Sequence, residues 1–147
     1  MEELTRRRFL VLAPVALGVL PAVLNGCGGS SGTPVDGTVA VQNGQATLSF
    51  SQFPKLRSVG GAAVVEVNSG GSYIVIRTSV SAADALSAVC THAHCLVGYQ
   101  AGDAKIVCPC HGSEYSTAGI VLRGPSIASL ATFPATVDAT GITIKVA

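Results

Sequence analysis

Two short segments hold most of the reactive side chains in this sequence: Cys90-Thr91-His92-Ala93-His94-Cys95 and Cys108-Pro109-Cys110-His111-Gly112-Ser113-Glu114-Tyr115-Ser116. The spacing is Cys-x-His, fifteen residues, then Cys-x-x-His, with one further cysteine per segment at Cys95 and Cys110. Every cysteine except Cys27 falls in these two segments. Thiolates and imidazoles are metal ligands, and sets of four cysteines, or three and a histidine, hold structural zinc. Cys90, Cys95, Cys108, Cys110 and His111 supply such a set, but zinc explains neither the matched spacing nor the Ser113 and Tyr115 that follow. Two plain disulfides are the other structural reading for an exported protein. They leave His92 and His111 without a purpose.

Two cysteines and two histidines so spaced closely resemble the ligand set of a Rieske [2Fe-2S] centre, where two thiolates hold one iron and two imidazoles the other. The resemblance covers roughly residues 85–131. It implies metal ligation by Cys90, His92, Cys108 and His111. It also implies a Cys95–Cys110 disulfide between the ligand loops, a mark of the membrane-complex branch, and hydrogen bonds from Ser113 and Tyr115 to a bridging sulfide and a cysteine sulfur. Exchanging two thiolates for neutral imidazoles lifts the potential from about −400 mV to between about −150 and +300 mV. The serine, the tyrosine and the cysteine pair place this protein towards the upper end. Residues 119–126 resemble the family's cluster-covering proline loop around Pro125; the usual Gly-Pro-Ala-Pro is here Gly124-Pro125-Ser126-Ile127.

In such proteins an exposed ligand histidine accepts a hydrogen bond from quinol and takes its proton as the cluster takes the electron. By motif position that role falls to His92 and His111. The resemblance thus implies a membrane-tethered electron-transfer subunit, rather than a stand-alone enzyme, working between a cytochrome b-type quinol-oxidising subunit and a cytochrome c-like acceptor. A second reading is the small Rieske subunit of another exported oxidase of the arsenite oxidase type; Gly112 and Tyr115 count against it, because that branch favours phenylalanine there. A mononuclear oxygenase iron needs two more histidines and a carboxylate, and only His94 is left. His94 stands where the family has glycine and reads as a surface residue, with Ala93 in place of the usual leucine.

The elements that must position these residues follow from the rest of the chain. With 147 residues, the chain holds one domain of ordinary size. Only 12% of residues are charged and the net charge is +1, which leaves no basic face for phosphates and excludes nucleic acid. Thr5-Arg6-Arg7-Arg8-Phe9-Leu10, followed by an apolar run, resembles a twin-arginine export signal. Export in the folded state suits a centre built before translocation, since metal binding and folding are coupled. Leu24-Asn25-Gly26-Cys27 resembles a lipoprotein cleavage box. Residues 1–26 are therefore expected to be an export signal or membrane anchor, with lipidation at Cys27 or a retained N-terminal helix as the tether, and the domain on the exported, periplasmic side of a bacterial cytoplasmic membrane. Residues 27–37, rich in Gly and Ser, read as a flexible linker.

From 38 to 147 short β-branched runs alternate with Gly, Asn, Ser and Pro. Strands are expected at 38–41, 46–50, 62–67, 73–77, 105–108, 119–122 and 142–146, with hairpin turns at Asn43-Gly44 and Asn68-Ser69-Gly70-Gly71. Only 82–89 reads as briefly helical. The expected fold is all-β, a Rieske-type antiparallel β-sandwich carrying a small cluster-binding β subdomain. Val64, Val65, Val67, Ile74 and Ile76 are core candidates, and Tyr73 and Tyr99 read as packing residues.

Overall fold

A computed structural model describes residues 32–146 of the chain; the signal or anchor segment 1–26 and Cys27 lie outside the described residues. Among the described residues there are thirteen strands and one short 3-10 turn, Pro54–Arg57. The first six strands are β1 (Gly37–Val39), β2 (Val41–Gln42), β3 (Gln45–Ser49), β4 (Ala62–Val67), β5 (Ser72–Arg77) and β6 (Ala83–Ser87). The cluster-side strands are β7 (Gly98–Gln100), β8 (Lys105–Val107), β9 (Glu114–Ser116) and β10 (Val121–Arg123). The chain returns through β11 (Thr132–Phe133), β12 (Ala135–Val137) and β13 (Gly141–Lys145). They form three sheets, ordered β1-β4-β5-β6-β11, β12-β13-β3-β2 and β10-β9-β8-β7. No helix among the described residues is long and apolar enough to cross a membrane.

The pattern of β4 and β5 explains their central place. Side chains alternate between the two faces of a strand, and here both faces are covered. Ala63, Val65, Val67, Tyr73 and Val75 enter one core with Ala46, Leu48, Ile142 and Ile144 of the second sheet. Val64, Ile74 and Ile76 enter another, with Leu86, Ile106, Tyr115 and three of the cysteines. Burial on both sides is why these strands read as unbroken apolar runs. Strands β3 and β13 bury one face only, so Thr47 and Thr143 point outward and bond to each other at 3.0 Å. The Asn43-Gly44 turn joins paired β2 and β3, and the Asn68 to Gly71 turn joins paired β4 and β5.

Two expectations need correction. Residues 82–89 are not helical: Ala83–Ser87 is β6, paired antiparallel with β5 from Tyr73↔Ser87 to Arg77↔Ala83. Alanine and leucine favour a helix only weakly, and a slot between β5 and β11 outweighs that preference. The linker expected over 27–37 is also too long. Thr33 N–H bonds the Leu96 carbonyl at 3.0 Å, Asp36 N–H bonds the Val64 carbonyl at 2.7 Å, and Gly37 begins β1, which runs parallel to β4. Asp36 completes the hold by accepting from Val64 N–H at 2.9 Å and from Lys55 at 2.8 Å.

Arg77 at the end of β5 is only 8% exposed and has no carboxylate partner among the described residues. Its guanidinium instead donates to the carbonyls of Leu56 at 3.1 Å, Ser79 at 3.1 Å and Val80 at 2.5 Å, and lies 4.9 Å from the Phe50 ring centre. This one side chain fastens the 3-10 turn and the β5–β6 turn to the sheet. Arg77→Met keeps the apolar stem, strands the buried Leu56 carbonyl and releases those of Ser79 and Val80 to water, so it is expected to cost about 2 kcal/mol. Urea unfolding measures this; a loss under about 1 kcal/mol would contradict the assignment.

Candidate metal centre

Each cysteine-histidine segment closes on itself in the same way. In the first loop Cys90 N–H bonds the Cys95 carbonyl at 2.9 Å, and His94 N–H bonds the Cys90 carbonyl at 3.0 Å. In the second, Cys108 N–H bonds the Ser113 carbonyl at 2.8 Å and Gly112 N–H bonds the Cys108 carbonyl at 3.0 Å. The residue four places after the leading cysteine must take a left-handed conformation in both, with φ +57° at His94 and +74° at Gly112. Glycine does so without strain, and histidine is among the residues that tolerate it. His94 is thus a loop-closing residue with an exposed side chain, in keeping with its reading as a surface histidine.

The two loops leave different strands, the first following β6 and the second joining β8 to β9. A Cys95–Cys110 disulfide joins them. Cys90 and Cys108 remain free thiols, both fully buried. That pairing removes the four-cysteine zinc set and the two-disulfide reading together. Cys108 packs against the bridge, its sulfur and the sulfurs of Cys95 and Cys110 lying within 4.8 Å of one another. His92 and His111 are exposed, ring centres 4.9 Å apart at 90°. The two thiol sulfurs therefore lie inside and the two imidazoles outside.

Four side-chain oxygens surround the sulfur end. Tyr115 Oη, fully buried, sits 3.4 Å from Cys90 Sγ, 2.5 Å from Ser126 Oγ and 3.1 Å from Thr91 Oγ1. Ser126 Oγ lies 3.5 Å from the same sulfur. Ser126 N–H donates to Ser113 Oγ at 3.0 Å, so the Ser113 proton is left for another acceptor. Thr91 Oγ1 donates to the Ala128 carbonyl at 2.7 Å and pins residues 124–128 over the first loop. Within that segment Pro125 is exposed and follows a cis peptide bond, whereas Ser126 is 3% exposed.

The electrostatics follow from these contacts. Burial opposes ionisation of Cys90, but polar contacts with the Tyr115 and Ser126 hydroxyls, the His92 backbone and the Cys108 thiol overcome it and bring its pKa down to about 6. Burial pushes Cys108 up, and donating to an already anionic Cys90 pushes it further. Such a site is prepared to stabilise negative charge on sulfur. Outside the buried part, Glu114 accepts from Lys105 at 3.1 Å and lies 3.6 Å from Arg123, which clips β8, β9 and β10 together beside the second loop. Gly119, at φ +81°, lets the cover segment cross the base sheet; a Cβ there would meet Leu86 at 2.8 Å and the Leu130 carbonyl at 2.9 Å.

Two unpaired buried thiols, one poised as thiolate, beneath two accessible imidazoles form a donor set that fits a [2Fe-2S] cluster held by two cysteines and two histidines. Sequence reading missed Ser126 and Thr91. Ser126 registered only as a departure from a family pattern, and Thr91 carries no signal beyond its place between Cys90 and His92.

Comparison with known proteins agrees with this geometry. The Rieske [2Fe-2S] domain profile matches residues 50–134. The cytochrome b6-f complex iron-sulfur subunit 1 of Nostoc sp. is 36% identical over 144 residues, spanning 89% of this chain and 78% of that protein. The corresponding subunit of Synechococcus elongatus is 37% identical over 143 residues with the same coverage. Among solved structures, the cyanobacterial plasma membrane Rieske protein from Synechocystis superposes with a TM-score of 0.52 at 33% identity, covering 57% of this chain and 85% of that one. The ferredoxin of carbazole 1,9a-dioxygenase from Nocardioides aromaticivorans, 21% identical, shares the fold with a TM-score of 0.55 over 69% of this chain and 95% of that one.

Proposed function

Because the chain belongs to the Rieske [2Fe-2S] family, we propose that Cys90, His92, Cys108 and His111 hold a [2Fe-2S] cluster through which the protein takes electrons from quinol in a cytochrome bc-type complex. The onward acceptor is cytochrome c-like, and the head is tethered to the exported face of the cytoplasmic membrane by its N-terminal segment or a lipid on Cys27. The likeness to cytochrome b6-f subunits over most of the chain supports the assembly. The observation that carries the chemistry is the polarity of the site, with buried sulfurs under exposed imidazoles.

When bound, the cluster supplies a one-electron acceptor. The chain's own residues do the rest. His92 and His111 are open to solvent, and either one, once its solvent-facing nitrogen has lost its proton, can accept a hydrogen bond from a quinol hydroxyl and take its proton. Ser113 and the hydroxyls grouped at Cys90 stabilise the more negative, reduced state and so favour electron uptake. Burial of Cys90, Cys108 and Tyr115 keeps water from the sulfur end.

If uptake of the electron is coupled to uptake of a proton at a ligand imidazole, raising the pH favours the oxidised form. The midpoint of the intact protein is then expected to be mid-positive and to fall as pH rises through neutral, approaching about 59 mV per pH unit for one proton per electron. Potentiometry followed by EPR of the reduced state tests this. A low potential, flat with pH, would overturn the quinol reading. Co-purification with a dihaem cytochrome b would identify the complex, and with a molybdenum subunit would reassign it.

A further inference from the structure

The hydroxyl of Ser126 is not required by the ligand pattern, yet it is buried in the middle of the site. Tyr115 has one proton and three acceptors within reach: Ser126 Oγ at 2.5 Å, Thr91 Oγ1 at 3.1 Å and Cys90 Sγ at 3.4 Å. Ser126 is the nearest of the three and takes it. With Ser126 Oγ accepting from Tyr115, its own O–H has the Cys90 sulfur, at 3.5 Å, as its remaining side-chain partner among the described residues. We infer that Ser126 is a positioning residue for electron transfer, its hydroxyl relaying the Tyr115 hydrogen bond to the Cys90 sulfur and raising the affinity of the centre for its electron.

This inference rests on the cluster reading above. An alanine at 126 would fill the same backbone position and return Tyr115 to donating directly to sulfur. A relay differs from that arrangement in two ways. The terminal O–H is polarised by the bond it receives, which strengthens its own donation. A second donor also remains if Tyr115 is lost. Thr91 supports the arrangement by donating its N–H to Tyr115 Oη at 3.4 Å and its hydroxyl to the Ala128 carbonyl, fixing both the tyrosine and the segment that carries Ser126.

The test uses the intact, cluster-loaded protein, with film voltammetry on wild type, Ser126→Ala, Tyr115→Phe and the double variant. Ser126→Ala is expected to lower the oxidised-state preference for its electron about three- to tenfold at fixed applied potential, or about 30 to 59 mV at about 59 mV per tenfold. It is expected to lower the potential again in the Tyr115→Phe background, where Ser126 still donates to sulfur. An unchanged potential in both backgrounds, at wild-type iron content, would overturn the role. Resonance Raman gives a readout that mere packing would not move: transfer to D2O should shift the Fe–Sγ bands of wild type more than those of Ser126→Ala, and equal shifts would overturn it. Should Ser126→Ala fail to load, Ser126→Thr and Ser126→Val form the replacement pair, the same shape with and without the hydroxyl. Iron content and the visible spectrum of wild type judge the Rieske reading separately, so the two ideas fail by different results.

Discussion

Protein carrying Cys108→Ser is expected to purify colourless, with iron falling from about two per chain to under about a tenth of that. Cys108 is fully buried, packed against the Cys95–Cys110 bridge and bonded to the Cys90 thiol, so nothing can move in to replace it. A serine hydroxyl is a far poorer iron donor than a thiolate, and a site built to stabilise charge on sulfur gives it no help. Because metal binding contributes to folding, the same variant should lose thermal stability. His94→Gly is the matched control: its side chain is exposed and φ +57° suits glycine, so iron should stay at the wild-type level. Iron assay and visible absorption decide both, and a Cys108→Ser protein that keeps its colour would break the ligand assignment.

Nearly as large an effect is expected from removing the bridge. Cys95 and Cys110 are 15 residues apart, and opening a loop of that length costs about 3 kcal/mol in the chain-entropy account. For a domain of this size that corresponds to about 10–20 °C in Tm. Cys95 is also part of the cluster-side core, so Cys95→Ala with Cys110→Ala leaves unfilled space beneath the first loop. Calorimetry of the loaded double variant measures the loss. A change below about 3 °C would mean that backbone hydrogen bonds alone set the loops.

The residues proposed to carry the chemistry lie close together in sequence, which is why they could be picked out there. Ligand loops depend on short spacings, and the Cys-x-His and Cys-x-x-His segments fold as self-closing turns. Asn43-Gly44 and the Asn68 to Gly71 turn announced their hairpins for a similar reason: a tight turn is a local event. What depended on distant partners was hidden. The pairing of β1 with β4 joins Gly37 to Val65 and is parallel, which no hairpin signal can announce. β6 is alanine-rich and becomes a strand only because β5 and β11 receive it. β9 overlaps the reactive segment, so Glu114, Tyr115 and Ser116 drew attention as chemistry before they could be seen as a strand. Ser126 shows the limit most clearly, since its meaning lies in distances to Tyr115 and Cys90, 11 and 36 residues away.

The strap formed by residues 32–39 has a mechanical consequence. It fastens first to Leu96, immediately after the bridged Cys95, and then to Val64 and the rest of β4. A pull arriving at Gly32 is shared between the cluster subdomain and the base sheet, and cannot prise one from the other until the strap itself peels away. Through this strap the ligand-loop and base-sheet halves of the fold share any load applied at Gly32.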